Sequence, residues 1–185
     1  NDYARSKTIE ASTLAVYADW IRGDVIKHGK QDHFCQEFFR AMIKRKNSQV
    51  TWNALAKDSS IEHHKTIADY AALLASMDAI MIQQALIKDK LIGAPKKARK
   101  LIFTDPFIYH AIMSWLEPSD SPFSQQILPA IDDPLIASYL VESCVVSHLR
   151  RWYPTYYIKA DGEVDIAYVK DKTFWPVEIK WINQM

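Results

Sequence analysis

Apolar residues recur every three to four positions through the first part of the chain, and this spacing predicts helices. The first predicted helix covers residues 8–22 and is expected to end just before Gly23. The second covers roughly residues 32–46, and its apolar stripe consists of Phe34, Cys35, Phe38, Phe39, Met42 and Ile43. Together they predict a small helical unit.

The pattern changes after residue 48, where helical and strand-like stretches follow one another. A short extended piece at residues 50–52 comes first. Further predicted elements are helices at 53–57, 61–77 and 105–116 and strands at 79–88 and 100–104. Helix, turn, helix and β-hairpin in that order is the layout of a winged helix.

A proline-rich stretch separates this part from the last third of the chain. It contains Pro118, Pro122, Pro129 and Pro134 and is the best candidate for a linker. The elements predicted after it are a helix at about 134–152 and strands at 155–160, 163–170 and 173–181. The chain as a whole is predicted to be an α+β protein that is mostly helical.

Composition adds little to this picture except by exclusion. Hydrophobic residues make up 49% and charged residues 24% of the chain, as in folded globular proteins. No apolar run approaches the ~20 residues that a membrane helix needs, so no membrane partner is expected. Cys35 and Cys144 lie within apolar helical patterns, and we interpret both as core residues of a protein from a reducing compartment, the cytoplasm. Because the chain begins at Asn1 and not at a methionine, we expect its natural start to lie upstream.

Glu142 shares the apolar stripe of the predicted helix 134–152. An ionised carboxylate in that position costs several kcal/mol unless it is paired or bound to a metal. Taken alone, this pattern favours a buried salt bridge or an edge of the helix that turns toward solvent.

The last two predicted strands carry further charges. If Asp161-Gly162 and Asp171-Lys172 are two-residue turns, antiparallel pairing places Asp165 opposite Glu178 and Glu163 opposite Lys180. The period of two then puts Asp165, Glu178 and Lys180 on one face of the sheet and Val164, Ile166, Val177 and Ile179 on the other. Facing carboxylates repel one another unless a cation or a proton lies between them, and Mg²⁺ or Mn²⁺ with oxygen ligands would serve. The alternative is an amphipathic hairpin with solvated charges and a Glu163–Lys180 ion pair.

Glu142, the segment GEVD at 162–165 and the tripeptide Glu178-Ile179-Lys180 together resemble the PD-(D/E)XK nuclease superfamily. The resemblance implies that Asp165, Glu178 and Glu142 bind Mg²⁺ or Mn²⁺ and that Lys180 is the catalytic lysine. The core of that family continues with a helix and a strand after the E-x-K strand, whereas this sequence stops at Met185. We therefore expect this piece to be inactive by itself.

A wider similarity covers nearly the whole chain. The segments YADWIRGDVIKHGK at 17–30, KLIFTDPFIYHAIMSW at 100–115 and FWPVEIKW at 174–181, with the helix-turn-helix segment 51–77, resemble the C-terminal half of prokaryotic AAA+ ATPases that are frequent in archaea. The resemblance implies a helical lid-like segment at 1–48, a winged helix at 49–117 and a partial restriction-endonuclease-like α/β domain at 118–185. No G-x-x-x-x-G-K-[ST] motif occurs here, so ATP would bind only to the protein's own N-terminal ATPase domain. An oligomer is compatible with this family.

DNA is the partner that this resemblance implies. Helix 61–77 should bury Ile67, Tyr70, Ala71 and Leu74, with His63 at the edge of the core, and present Glu62, Lys65, Thr66 and Asp69 outward. Two acids beside the single cation Lys65 disfavour deep reading of the major groove. The cluster Lys96, Lys97, Arg99 and Lys100 lies where a wing should be and either contacts phosphates or forms a solvated loop.

The leading hypothesis is therefore the C-terminal part of an AAA+ ATPase with a DNA-interacting winged helix and a metal-dependent nuclease-like domain. Two alternatives stay open. One is a non-catalytic scaffold with the nuclease fold, and the other is a DNA-binding regulator that acts through the winged helix.

Overall fold

A computed structural model describes residues 7–46, 48–159 and 163–181 of the chain. Its helices are α1 (Ala11–Lys27), α2 (Asp32–Lys44), α3 (Trp52–Lys57), α4 (His64–Ser76), α5 (Pro106–Leu116), α6 (Leu128–Asp132) and α7 (Pro134–Arg150). Its strands are β1 (Ile80–Gln84), β2 (Leu86–Ile87), β3 (Ile92–Gly93), β4 (Arg99–Phe103), β5 (Thr155–Lys159), β6 (Glu163–Lys170) and β7 (Thr173–Val177). About half of the chain is helical and the sheets are small and antiparallel, so the α+β class is confirmed. None of the described helices combines the length and the apolar character that crossing a bilayer requires.

Helix α1 is longer at its C-terminal end than the sequence predicts. Gly23 lies inside the helix, and the helix ends four residues later at Lys27. The glycine that ends it is Gly29, whose φ of 70° lies in the left-handed region. The Gly29 N–H donates to the Ile26 carbonyl and the Lys30 N–H to the Val25 carbonyl, as in a Schellman cap. The prediction that Gly23 follows the helix is therefore wrong, since the capping glycine is the next one.

The two glycines should respond in opposite ways to alanine. We expect Gly23→Ala to raise the free energy of unfolding by roughly 0.5–1 kcal/mol, because alanine favours a helix interior. We expect Gly29→Ala to lower it by roughly 1–2 kcal/mol, because alanine resists a positive φ. An added Cβ meets no atom within 4 Å at either glycine, so packing does not contribute. Urea unfolding of the two variants measures the difference, and a shift of the same sign in both would contradict this cap.

The predicted apolar faces of α2 and α4 form much of the main core. Phe38 and Phe39 of α2 are fully buried, and the Phe39 ring stacks on Phe103 of β4 at 5.8 Å between centroids. The predicted core residues of α4 are all buried, namely Ile67, Tyr70, Ala71 and Leu74. His63 was expected at the edge of the core but is exposed at the N-cap of α4, because the helix begins only at His64.

The predicted hairpin is present in β1 and β4. These strands pair antiparallel from Ile80–Phe103 to Gln84–Arg99, and the short hairpin β2–β3 extends the loop between them. Ala85 continues the sheet by forming a parallel bridge with Tyr157 of β5. The Tyr157 hydroxyl donates to the Ala98 carbonyl at 2.5 Å, so the hairpin is attached to the C-terminal sheet on both sides.

The proline-rich stretch is not extended. It forms a π-helical turn at Phe123–Ile127 followed by α6, and Ile127 and Ala130 are buried. Tyr139 and Leu140 of α7 belong to the same core as Phe39 and Phe103. The domain boundaries at 48/49 and 117/118 stay a prediction, and one core spans both positions. Cys144 was expected in the core but lies exposed on α7, whereas Cys35 is buried as predicted.

The C-terminal sheet has the order β5-β6-β7. Asp171 and Lys172 form the predicted two-residue turn, with φ values of 52° and 57°. The pairs Lys170–Thr173 to Ile166–Val177 have the register that this turn implies. Strand β7 ends at Val177, before the residues that would pair with Asp165 and Glu163. The predicted turn at Asp161-Gly162 lies outside the described residues.

Candidate functional site

A buried lysine on β4 is the centre of the most strongly charged site of the described residues. Lys100 lies in the apolar strand between Arg99 and Leu101 and is only 4% exposed. Its ammonium nitrogen reaches three carboxylates, with Nζ at 3.0 Å from Glu142 Oε1, 3.4 Å from Asp165 Oδ1 and 3.6 Å from Glu163 Oε1. We call these four residues the lysine–carboxylate cluster.

The acids of the cluster come from two elements. Glu142 projects from α7 toward the core with a side chain that is 12% exposed, as its place in the apolar stripe predicts. Taken alone, its position favoured a buried salt bridge, and the Lys100–Glu142 contact is one. Glu163 and Asp165 come from the first half of β6.

A β-bulge in β6 directs Asp165 toward this cluster. The β5–β6 register shifts so that the single residue Tyr157 faces both Asp165 and Ile166. A bulge turns two successive side chains toward the same side of a sheet. Ile166 packs against Val146 of α7 on that side, which places Asp165 beside it. The expected separation of Asp165 and Ile166 onto opposite faces is therefore wrong.

Gln83 of β1 supports the bulge. Its Nε2 donates to the Tyr156 carbonyl at 3.0 Å and to the Asp165 carbonyl at 3.3 Å. Gln83 also pairs with Lys100 across the β1–β4 ladder, so one hairpin supplies both the cation and the group that supports the bulge.

Electrostatics in the cluster follow from one ammonium among three carboxylates. Burial disfavours the charged form of Lys100, but the surrounding Glu142, Asp165 and Glu163 outweigh it and raise the pKa of the ammonium group. Burial raises the pKa of Glu142, and the nearby Asp165 and Glu163 add to this against the opposing effect of Lys100. Burial is the main cause of the raised pKa of Glu142, and the excess of carboxylates over the single ammonium acts in the same direction on both groups.

A small cavity of about 210 Å³ lies beside the cluster. It is lined by Lys100, Ser138, Glu142, Glu163, Asp165 and Ile179. The second oxygen of Asp165, Oδ2, accepts a hydrogen bond from the Ile179 N–H at 3.2 Å. Both Asp165 oxygens therefore already have protein partners.

Glu178 and Lys180 do not join the cluster. Val177 and Ile179 pack with Ile166 beside α7, and the two charged residues that alternate with them are exposed. Neither Glu178 nor Lys180 forms an ion pair within the described residues. The predicted shared face of Asp165, Glu178 and Lys180 is therefore wrong. The bulge turns Asp165 to the side of Ile166, while Glu178 and Lys180 follow the end of β7 and are exposed.

The three predicted metal ligands thus do not all converge, because Glu178 lies apart from Glu142 and Asp165. Over residues 7–46, 48–159 and 163–181, no group of three Asp, Glu, His or Cys side chains is arranged to hold a metal ion. Oxygen donors of the kind that Mg²⁺ prefers are present in Glu142 and Asp165. The ammonium group of Lys100 already pairs with both of these carboxylates, at 3.0 and 3.4 Å.

The predicted wing cluster divides into two pairs. Lys96 and Lys97 are exposed in the turn before β4, and phosphate contact by them stays a prediction. Arg99 is buried, with its guanidinium 4.1 Å from the centroid of the Trp52 ring and Nη2 donating to the Pro95 and Lys97 carbonyls. Phosphate contact by Arg99 and Lys100 does not fit their burial, because Arg99 lies under the loop and Lys100 points into the lysine–carboxylate cluster. Lys65 is exposed on the first turn of α4, as predicted.

The sequence contained a signal for the lysine–carboxylate cluster. Lys100 stands in the apolar run Lys100–Phe103, and Glu142 stands in an apolar helical stripe. Two opposite charges that are each expected in the core are best stabilised by contacting one another. The predicted wing cluster instead places Lys100 with the basic loop that precedes it.

Comparisons of the chain with protein-family models, with curated proteins and with solved structures find no match.

Proposed function

We propose that this chain is the DNA-interacting C-terminal part of a cytoplasmic AAA+ ATPase, and that its nuclease-like last third is a non-catalytic module. The observation that carries the second part is the contact of Lys100 with Glu142 and Asp165 at 3.0 and 3.4 Å. The first part rests on the resemblance of the sequence segments described above.

Three observations favour a structural role for the lysine–carboxylate cluster. Lys100 is supplied by the β1–β4 hairpin, Glu142 by α7 and Asp165 by β6, so the charges join three separate elements. A buried ion pair with further hydrogen bonds specifies one arrangement of its elements. The residues that the nuclease family would use beside Asp165, namely Glu178 and Lys180, are exposed and outside the cavity.

A metal-dependent nuclease is the second candidate, and the convergence of Glu142 and Asp165 favours it. A bound Mg²⁺ or Mn²⁺ would polarise a phosphodiester and lower the pKa of a water molecule. The residues do not fit such an ion as they are arranged, because the ammonium group of Lys100 already pairs with both carboxylates and Glu178 lies apart from them. We therefore derive no catalytic step from them.

Calorimetric titration with Mn²⁺ separates the two candidates. We expect no saturable heat up to 1 mM Mn²⁺ for the wild type, because an ion would have to displace a buried ammonium. The variants are Asp165→Ala and Glu178→Ala, with Asp89→Ala in an exposed loop as the matched control. Saturable binding by the wild type that both variants lose and the control keeps would replace the scaffold with the metal site.

Duplex DNA tests the winged-helix part of the proposal. We expect weak binding whose logarithm falls with the logarithm of salt concentration, with a slope reduced by about 1.8 in the variant Lys96→Ala/Lys97→Ala if both lysines contact phosphates. The control is Lys88→Ala/Lys90→Ala in the β2–β3 hairpin loop, which should keep the slope. An unchanged slope in the first variant would remove the wing contact.

A further inference from the structure

The end of α7 carries two arginines and an exposed tryptophan that neither the cluster nor the wing uses. Arg150 and Arg151 are exposed, and Trp152 is 73% exposed, the largest fraction among the large hydrophobic side chains of the described residues. Within the residues that the structure describes, neither guanidinium forms an ion pair with a carboxylate. Asp78 lines an adjoining cavity with both arginines but stays beyond ion-pair distance.

The backbone holds this segment in place. The Trp152 and Tyr153 N–H groups both donate to the Leu149 carbonyl, at 3.1 and 2.9 Å. The Pro154 carbonyl then accepts from the Val169 N–H of β6 at 2.9 Å. The exposed indole is therefore carried by a turn that is bonded on both sides.

A groove of about 500 Å³ lies against this turn. Its lining includes Arg150, Arg151, Trp152, Tyr153, Gln84 and Tyr156. That volume is within the range of sites for small organic ligands. The lining is aromatic and cationic, which suits a ligand with flat rings and negative charges.

Aromatic rings continue from the groove onto strands β6 and β7. Tyr153 lies against Tyr168 of β6 with 5.1 Å between ring centroids. Tyr168 pairs directly with Trp175 of β7, so their side chains share a face, and Trp175 is 52% exposed. Lys170 adds a third cation, with Nζ 5.8 Å from the centroid of the Tyr153 ring. We call Arg150, Arg151, Trp152, Tyr153, Lys170 and Trp175 the aromatic–basic surface.

We propose that the aromatic–basic surface binds single-stranded nucleic acid, with bases stacked on Trp152 and on the Tyr153–Trp175 row and phosphates held by Arg150, Arg151 and Lys170. Proteins that bind single strands combine a cationic groove with aromatic rings, because every base has a flat face and every linkage a negative charge. Duplex DNA has its bases stacked inside and cannot use exposed rings in this way. The proposal deepens the DNA-interacting role proposed above by assigning the single strand to a surface that does not include the wing lysines.

Fluorescence anisotropy with a labelled 12-nucleotide oligothymidine tests the site on the whole chain. We expect Trp152→Ala to weaken binding at least about tenfold and Trp152→Phe to restore most of it. We expect Arg150→Gln/Arg151→Gln to weaken binding and to lower the slope of log affinity against log salt by about 1.4, at about 0.7 for each phosphate. Trp20→Ala, at another exposed tryptophan, is the matched control and should bind like the wild type.

The same experiment separates this site from the winged helix. Lys96→Ala/Lys97→Ala should leave oligothymidine binding unchanged. The effect of this double variant on the binding of duplex DNA tests only the wing contact. Wild-type binding that Trp152→Ala does not weaken, or no binding of oligothymidine at 50 mM salt, would overturn the proposal. Binding of phosphatidylserine vesicles in place of the oligonucleotide, lost in Trp152→Ala, would also overturn it by identifying a lipid ligand.

Discussion

Replacing Lys100 with methionine should lower the free energy of unfolding by about 3 kcal/mol or more. Methionine keeps the apolar stem of the side chain but leaves the carboxylates of Glu142 and Asp165 close together without their cation. Removing one partner of a buried ion pair costs about 3–5 kcal/mol, and the lower value applies because Asp165 and Glu163 are partly exposed. Urea unfolding at neutral pH measures the loss.

Lys180→Met is the matched control for this variant. Lys180 is the lysine that the sequence pattern associates with Asp165, but it is exposed and forms no ion pair among the described residues. We expect its replacement to change stability by no more than about 0.5 kcal/mol. A larger loss in Lys180→Met than in Lys100→Met would contradict the lysine–carboxylate cluster. It would show that Lys180, and not Lys100, pairs with the carboxylates, as the predicted register implies.

The loss in Lys100→Met should become smaller in acid and in a second variant. The pKa of Glu142 is already raised by burial, and removing the ammonium raises it further, so the carboxyl group takes up a proton more readily in the folded variant. A folded-state pKa above the ordinary value favours the folded state as the pH falls. Lys100→Met/Glu142→Gln should likewise recover part of the loss, because it removes one of the unpaired charges.

Lowering the pH from 7 to 5 should destabilise the protein through His110 by about 2 kcal/mol. His110 is 6% exposed on α5, and burial lowers the pKa of its imidazole from an ordinary value of 6.5 to about 4. Its Nδ1 has no hydrogen-bond partner within the described residues. His110 and Asp133 line one small cavity, but the Asp133 carboxylate caps α7 by accepting from the Leu135 and Ile136 N–H groups.

The sign follows from which state binds the proton. Between pH 6.5 and about 4 the unfolded chain protonates this histidine and the folded chain does not, so falling pH favours the unfolded state. Above pH 6.5 both states are neutral at this residue and the full stability is present. His110→Phe removes the titrating group with a ring of similar size.

The measurement is a series of urea midpoints at pH 5, 6 and 7. We expect His110→Phe to lose about 2 kcal/mol less than the wild type over this range, and His64→Gln, at an exposed position, to lose as much as the wild type. Parallel losses in wild type and His110→Phe would mean that the buried imidazole is protonated without opening the core.

Local patterns were sufficient for most of the secondary structure. The stripe of α2, the core face of α4, the β1–β4 hairpin and the Asp171-Lys172 turn all follow from periodicity and turn chemistry, and the structure confirms them. These features depend on residues that are near one another in the chain, so a short window contains the physical cause. The end of α1 was missed because Gly23 and Gly29 both satisfy the local rule for a capping glycine.

The candidate site depended on information that no short window holds. Asp165 and Glu178 have the spacing of facing residues, and an unbroken β6 would have placed both on one side of the sheet. The bulge opposite Tyr157 places Asp165 on the other side. Gln83, which donates to the Asp165 carbonyl, comes from a strand that is distant in the sequence, so no local pattern contains this contact. The sequence alone determined that Glu142 needs a partner in the core. Only the tertiary structure decided that Lys100 is that partner, because a buried carboxylate is stabilised by whichever cation the packing brings within 4 Å, however remote it is along the chain.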